Sequence, residues 1–167
     1  MGTPTDNEER NLLDRTEVHD LFCRYSDALD LRKWELLDDF FTPDAMAYFP
    51  TGIEEQELKE TAIQGREEIV SWLRNVFEDF GPTHHMISNL ALSVDGDVGS
   101  TTCRVRAYHV AVIGDRRLFE ESLARFSGTV RRTSQGWRFE EFRESIAIAL
   151  GDPDELAAAI QERGLTS

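Results

Sequence analysis

Hydrophobic positions recur with a helical period in the first half of the chain and a strand period in the second. From Val18, the apolar residues Leu21, Phe22, Tyr25 and Leu29 fall at intervals of three, four, seven and eleven, which predicts one buried face of a helix over residues 12–29. Asp30 then stands at its C-terminal end. A second, short amphipathic helix is expected from Arg32 to Phe41, with Trp34, Leu37 and Phe40 or Phe41 inward and Thr42-Pro43-Asp44 as its breaker. Ala45 to Phe49 reads as a short strand ended by Pro50-Thr51-Gly52. The acidic, unpatterned residues 53–64 are expected to form a surface loop. Helical spacing returns from Gly65 to Phe80, and Gly81-Pro82 stops it.

Four long strands are expected next, at His84–Val94, Ser100–Ile113, Arg117–Arg132 and Trp137–Ile148. They are joined by turn signals at Asp95-Gly96-Asp97, Gly114-Asp115 and Ser134-Gln135-Gly136. Tight connections make such strands antiparallel neighbours. A last helix is expected from Asp152, with proline at its first turn and Glu155 three residues on. Helices followed by a meander predict an α+β fold. The expected organisation is a loose leader at 1–11, one domain over 12–150, and a C-terminal helix and tail over 151–167.

Alternation assigns faces within the strands. In the first, His85, Ile87 and Asn89 share one side, and His84, Met86, Ser88, Leu90 and Leu92 the other. In the second, Cys103, Val105, Ala107, His109 and Ala111 form an apolar row broken only by the histidine. Thr102, Arg104, Arg106 and Tyr108 form an outward row. Two histidines therefore meet one interior face on neighbouring strands. They read either as buried, hydrogen-bonded core residues or as pocket residues fit for acid–base work.

Bulk properties narrow the partners. The 167 residues suit one core, and the 32 acidic against 18 basic side chains, a net charge of −14, argue against nucleic acid and anionic membranes. Cys23 and Cys103 are too few for a disulfide framework and lack metal-ligand spacing. No HxH or HExxH pattern accompanies the histidines, so no metal is expected. No phosphate loop or dinucleotide fingerprint appears, so no nucleotide cofactor is expected. No apolar run precedes the first helix, which makes the cytoplasm the expected compartment. The outward row on a long strand suggests a homodimer or homotrimer.

Asp30 is the acid that the pattern singles out. A helix C-terminus disfavours negative charge, so an aspartate there is either a solvated C-cap or held by a partner. Tyr25, on the same buried stripe, either packs as plain core or carries its hydroxyl to a pocket, and Tyr48 on the short strand is a second candidate donor.

The ordered set Tyr25-Ser-Asp27-Ala-Leu-Asp30, Trp34, Phe41-Thr-Pro-Asp44-Ala, Gly65-Arg-Glu-Glu-Ile, His85-x-x-x-Asn89, Asp95-Gly-Asp97 and Gly136-Trp137-Arg-Phe resembles SnoaL-like proteins of the nuclear transport factor 2-like superfamily. The resemblance spans about residues 12–148. It implies a cone: a strongly curved antiparallel sheet wrapped around the N-terminal helices, enclosing an apolar cavity. It implies a catalytic Asp30–His85 dyad, with Tyr25 and His109 as further catalytic residues, and a pocket including Tyr48, Ile87, Asn89, Val105, Ala107 and Trp34. A tyrosine beside the dyad aspartate in the dehydratases of this group is Leu29 here, and Arg143 is the candidate for an arginine that some relatives use. The implied activity is that of a cofactor-independent dehydratase, cyclase or isomerase on a compact, largely apolar cyclic small molecule. The other readings are a non-catalytic ligand-binding or dimerisation module and the β-subunit of an aromatic-ring dioxygenase.

Overall fold

A computed structural model describes residues 6–54, 57–78, 80–113 and 115–151, together with Pro153, Glu155, Leu156 and Ala158. Helix α1 (Asp6–Leu31) is followed by a single 3₁₀ turn (Trp34–Leu37), strands β1 (Phe41–Glu54) and β2 (Glu57–Gln64) and helix α2 (Arg66–Phe77). Strands β3 (Thr83–Asp95), β4 (Val98–Ile113), β5 (Arg116–Thr133) and β6 (Gly136–Gly151) complete the order. The six strands form one sheet, ordered β2-β1-β6-β5-β4-β3. The expected α+β cone is the observed architecture, with one difference. β1 lies parallel to β6, so the sheet is mixed rather than purely antiparallel.

Curvature follows from what α1 must cover. The helix touches β3 at one edge of the sheet and β6 three strands away, which requires the sheet to bend round it. Register shifts in the β5–β6 pairing at Leu123/Ala124 and Thr129/Val130 supply the bend. Gly128 marks the tightest approach, since a Cβ there would lie 1.9 Å from the Glu141 carbonyl oxygen. Inside the bend, Phe22 and Tyr25 of α1 meet Phe126, Phe139 and Phe142 of the sheet, with Phe40 among them. Each favourable ring pair adds about 0.5–1.5 kcal/mol beyond area burial. Nearer the start of α1, Asp14 accepts hydrogen bonds from Arg132 Nη1 (2.6 Å) and Nη2 (2.8 Å) and from Trp137 Nε1 (3.3 Å). The Arg132 hydrogen bond, aided by Trp137, holds the Asp14 carboxyl below its ordinary range against the effect of burial.

Several boundaries differ from expectation. Residues 6–11, expected in the leader, are the first turns of α1; residues 1–5 lie outside the described residues. The expected second helix is one 3₁₀ turn. Thr42-Pro43-Asp44 does not break the chain but lies within β1, where the pairing to β6 is interrupted between Phe41 and Met46. The acidic stretch, expected as a loop, contributes β2, an edge strand paired antiparallel to β1. Charged side chains are well suited to an edge. The expected N-cap Asp152, Gly114 of the β4–β5 turn and the tail from 159 onward lie outside the described residues. Leu156 is buried against Ala111, Leu118 and Phe80. Among the described residues, no helix is long and apolar enough to cross a membrane.

Gly128→Ala is expected to cost more than about 2 kcal/mol, because the added methyl must displace the β6 backbone. Urea unfolding should show this as a lowered midpoint.

Candidate active site

Helix α1 ends where the candidate chemistry begins. Arg32, just past the last helical residue, lies in the left-handed region with φ 57°, a conformation that commonly closes helices. Its guanidinium donates to the Leu29 carbonyl of the last turn. It also donates to Gly81 O (3.0 Å), Phe80 O (3.3 Å) and Thr83 Oγ1 (3.1 Å). One side chain thus satisfies a helix-end carbonyl and stitches α1 to the segment leading into β3. Burial draws the Arg32 pKa down, and the nearby Asp30 charge opposes that.

Asp30 is held from β3. Thr83 Oγ1 donates to its Oδ1 (2.9 Å), the His85 backbone N–H to Oδ2 (2.8 Å) and the His85 ring Nδ1–H to Oδ1 (2.7 Å). Burial by itself would raise the Asp30 pKa. The donors from His85 and Thr83 more than reverse this, so the carboxyl lies below its ordinary range. The sequence left Asp30 as either a solvated cap or a partnered group, and the structure places it with partners. The neighbouring His84 is exposed, with Nδ1 3.8 Å from Asp30 Oδ2.

His85 is the inward residue, 8% exposed. Burial depresses its pKa, and the Asp30 hydrogen bond and charge only partly oppose this, so the ring is neutral at pH 7. A carboxylate can only accept, which assigns the ring proton to Nδ1 and leaves the Nε2 lone pair free. That nitrogen stands 3.5 Å from Nε2 of His109. Strand register explains the meeting: His109 on β4 lies opposite Thr83 on β3 and opposite Glu120 on β5. Glu120 Oε2 is 3.7 Å from His109 Nδ1, an ion-pair distance, and Glu120 also accepts from Ser122 Oγ. The His109 imidazole and then Ser122 hold the Glu120 carboxyl below its ordinary range despite burial. Phe77 packs on both imidazoles, and Phe80 on His109.

These rings form part of the wall of a cavity of about 160 Å³. Tyr25, Leu29, Phe49, Trp72 and Phe126 supply apolar lining, and Glu120, Ser122 and Glu144 the polar remainder. Burial, and then the Glu144 charge, push the Tyr25 hydroxyl well above its ordinary pKa, so it stays a neutral phenol. Among the described residues, no three His, Cys, Asp or Glu side chains converge as a metal-ligand set.

The four residues expected to carry chemistry, Tyr25, Asp30, His85 and His109, are therefore brought together. The expected pocket residues are not. Asn89 is exposed with φ 53° at a bulge between Ser88 and Ala91. Beyond that bulge the strand phase inverts, so Leu90 and Leu92, expected outward, pack on the core. Tyr48 points away from the inward row Ala45, Ala47 and Phe49, and the Arg143 guanidinium lies 4.0 Å over its ring. Arg143 pairs with Glu60 on that same outer side, away from the cavity. Ile87, Val105 and Ala107 face inward but belong to the packed core, and Trp34 packs on it from beneath Arg74; none of the four lines the cavity.

Sequence reasoning missed Arg32, Glu120, Ser122 and Glu144. A signal existed for Glu144, which interrupts the inward run Phe142-x-Glu144-x-Ile146 on β6. Ser122 similarly precedes Ala124 and Phe126 in the inward row of β5. A larger depression of about 690 Å³, lined by Asp20, Cys23, Arg24 and Asp27 among others, is open to solvent and shares no residue with the cavity. Burial, with Asp20 and Asp27, raises the Cys23 pKa, the opposite of nucleophile activation.

Comparison with known proteins gives the family and the fold. The SnoaL-like domain family matches residues 10–143. The uncharacterised protein Rv2910c of Mycobacterium tuberculosis is 35% identical over 128 residues, covering 75% of this chain and 80% of the relative. A structure from Novosphingobium aromaticivorans provisionally named a scytalone dehydratase superposes with a TM-score of 0.72 at 18% identity, covering 85% of this chain and 89% of that one. The hexachlorocyclohexane dehydrochlorinase LinA-type3 of Novosphingobium barchaimii superposes with a TM-score of 0.66 at 19% identity, covering 84% and 91%. At these identities the two structures establish the fold.

Because the folded-state pKa of Asp30 is depressed, its stabilisation is present above the unfolded value and is lost as pH falls through the folded one. Asp30→Asn is expected to lower stability by about 1–3 kcal/mol at pH 7. The gap from the parent protein should close as pH falls below the ordinary aspartate range. Thermal unfolding from pH 7 to pH 2.5 measures it.

Proposed function

The chain belongs to the SnoaL-like domain family of the nuclear transport factor 2-like superfamily, and on that premise we propose that it is a cofactor-independent lyase or isomerase working by paired histidines. The observation that carries this reading is the continuous run Asp30–His85–His109–Glu120, meeting through two Nε2 atoms 3.5 Å apart at the edge of an apolar cavity. Relatives of similar fold are named for dehydration and dehydrochlorination. Both reactions remove a proton from carbon and a leaving group from its neighbour.

The two imidazoles divide the work. Asp30 fixes the His85 proton on Nδ1, so Nε2 presents its lone pair as the base. Orientation of an imidazole by a buried carboxylate is the logic of catalytic triads. Only one proton fits between the facing Nε2 atoms, and since His85 contributes none there, His109 carries it. As the acid, His109 carries a proton on both nitrogens, with Nδ1 facing Glu120 Oε2 at 3.7 Å. His85 then takes a proton from a carbon next to a carbonyl, a carbon–carbon double bond forms as the neighbouring carbon–oxygen bond breaks, and His109 gives its proton to the departing oxygen as water. In an isomerisation the proton returns to a different carbon and no bond to oxygen breaks. Phe77 and Phe80 keep the rings out of bulk water, where the field of each carboxylate would be weaker. The cavity of about 160 Å³, close to the roughly 150 Å³ known to admit a benzene-sized guest, fits a compact, largely apolar ring.

The test is a panel of single-ring β-hydroxyketones, followed by the absorbance of the conjugated enone. On a substrate so found, His85→Ala and Asp30→Asn are each expected to lower kcat by about 10²–10⁴-fold, with circular dichroism unchanged. Parental kcat in either folded variant rejects the reading. The acidic limb of kcat/KM should fall below the ordinary histidine value, because burial depresses His85.

A further inference from the structure

Glu144 is a carboxyl that this mechanism does not use. It lies on the inward row of β6, between Phe142, which is fully buried, and Ile146, which packs on the core. Across the ladder it faces Phe126. It lines the cavity together with Tyr25, Glu120 and Ser122, and among the described residues it has neither an ion-pair nor a hydrogen-bond partner. Glu120, by contrast, is committed to His109 and Ser122.

A half-buried carboxylate in this aromatic and aliphatic wall has no cation beside it and shares the cavity with the Glu120 carboxylate, a costly setting for negative charge. Neutralisation by a proton relieves that cost more readily than any rearrangement of an aromatic wall. The neutral acid then differs from Glu120, the other carboxyl in the cavity, because it can donate a hydrogen bond. Cavities of this type bind apolar rings loosely in orientation, and a few placed polar groups decide which way round the guest sits.

We propose that Glu144 is the substrate-orienting group of the cavity, donating a hydrogen bond from its neutral carboxyl to a carbonyl or hydroxyl oxygen of a single-ring substrate. The substrate class is thereby narrowed from compact apolar rings to oxygenated ones, such as cyclic ketones and ketols. This rests on the reading of the cavity as a substrate site, but not on any catalytic role for the histidines. Burial, and then the charge of Glu120, raise the Glu144 pKa to about 7, which agrees with a neutral acid in mildly acidic solution. The other titratable groups around the cavity are His85, His109, Glu120 and Tyr25, so pH alone does not identify the donor and variants are needed.

The experiment compares cyclohexanone with methylenecyclohexane, which has the same shape and no oxygen, by NMR titration of the full chain. At pH 5.5 cyclohexanone is expected to bind about tenfold tighter, the value of one buried hydrogen bond. At pH 8.5 the preference should collapse in the parent protein, because an ionised carboxyl cannot donate. Glu144→Gln should keep the preference at both pH values, since its amide donates throughout. Glu144→Leu should lose it at both. Equal binding of the two probes by the parent at pH 5.5 overturns the proposal, as does a preference that survives in Glu144→Leu. A pH-dependent preference that persists in Glu144→Gln also overturns it, by assigning the effect to the histidines or Glu120. Because binding is read without turnover, failure here is separable from failure of the proposed acid–base reaction.

Discussion

The site depends on one carboxylate being surrounded by donors from a distant strand. Asp30 stands in the last turn of α1, where the helix dipole repels negative charge. It stays ionised because Thr83 and both the ring and backbone of His85 donate to it. The same three bonds fix the lateral position of β3 against the helix end. Arg32 completes the join by donating to the Leu29 carbonyl of the last helical turn and to the carbonyls of Phe80 and Gly81. Fold and chemistry are therefore set by the same few hydrogen bonds. The histidine cannot change tautomer without breaking a contact that docks the sheet.

Within the cavity, unlike environments separate groups of the same kind. His85 is buried beside a carboxylate that already has other donors, whereas His109 faces Glu120, with Ser122 as the carboxylate's other contact. Glu120 is stabilised as an anion, while Glu144, one strand further round the curve, has no such partners. Two histidines and two glutamates thus occupy four distinct electrostatic situations in a cavity of about 160 Å³. Separation of this kind among identical side chains is how acid and base roles are assigned near neutral pH.

The helical and strand periods made most of the fold legible in the sequence, and Asp30 and His85 could each be singled out because they stand at element ends that the pattern marks. Their pairing came only from the family resemblance. What could not be read was phase across irregularities. Alternation carried His85 correctly inward but failed at Asn89, since nothing in Ser-Asn-Leu-Ala announces a bulge. Tyr48 was misplaced for a different reason: β1 is longer than its apolar centre, and its pairing to β6 is parallel and interrupted. The acidic residues 57–64 form a strand because β1 offers them an edge, a tertiary gain that local composition does not record. Glu120 and Glu144 were passed over among 32 acids, although Glu144 sits conspicuously in an aromatic and aliphatic row.

The bulge between Ser88 and Ala91 divides β3 into two lengths with different obligations. Residues before it hold the aspartate and present the imidazole; residues after it, Leu90, Leu92 and Val94, only pack on the core. Because a bulge absorbs one residue of register, the pleat of the first length is not bound to that of the second. A substitution that alters side-chain volume in the distal length therefore acts on the core without rotating the imidazole, and Asn89 is the seam between the two lengths.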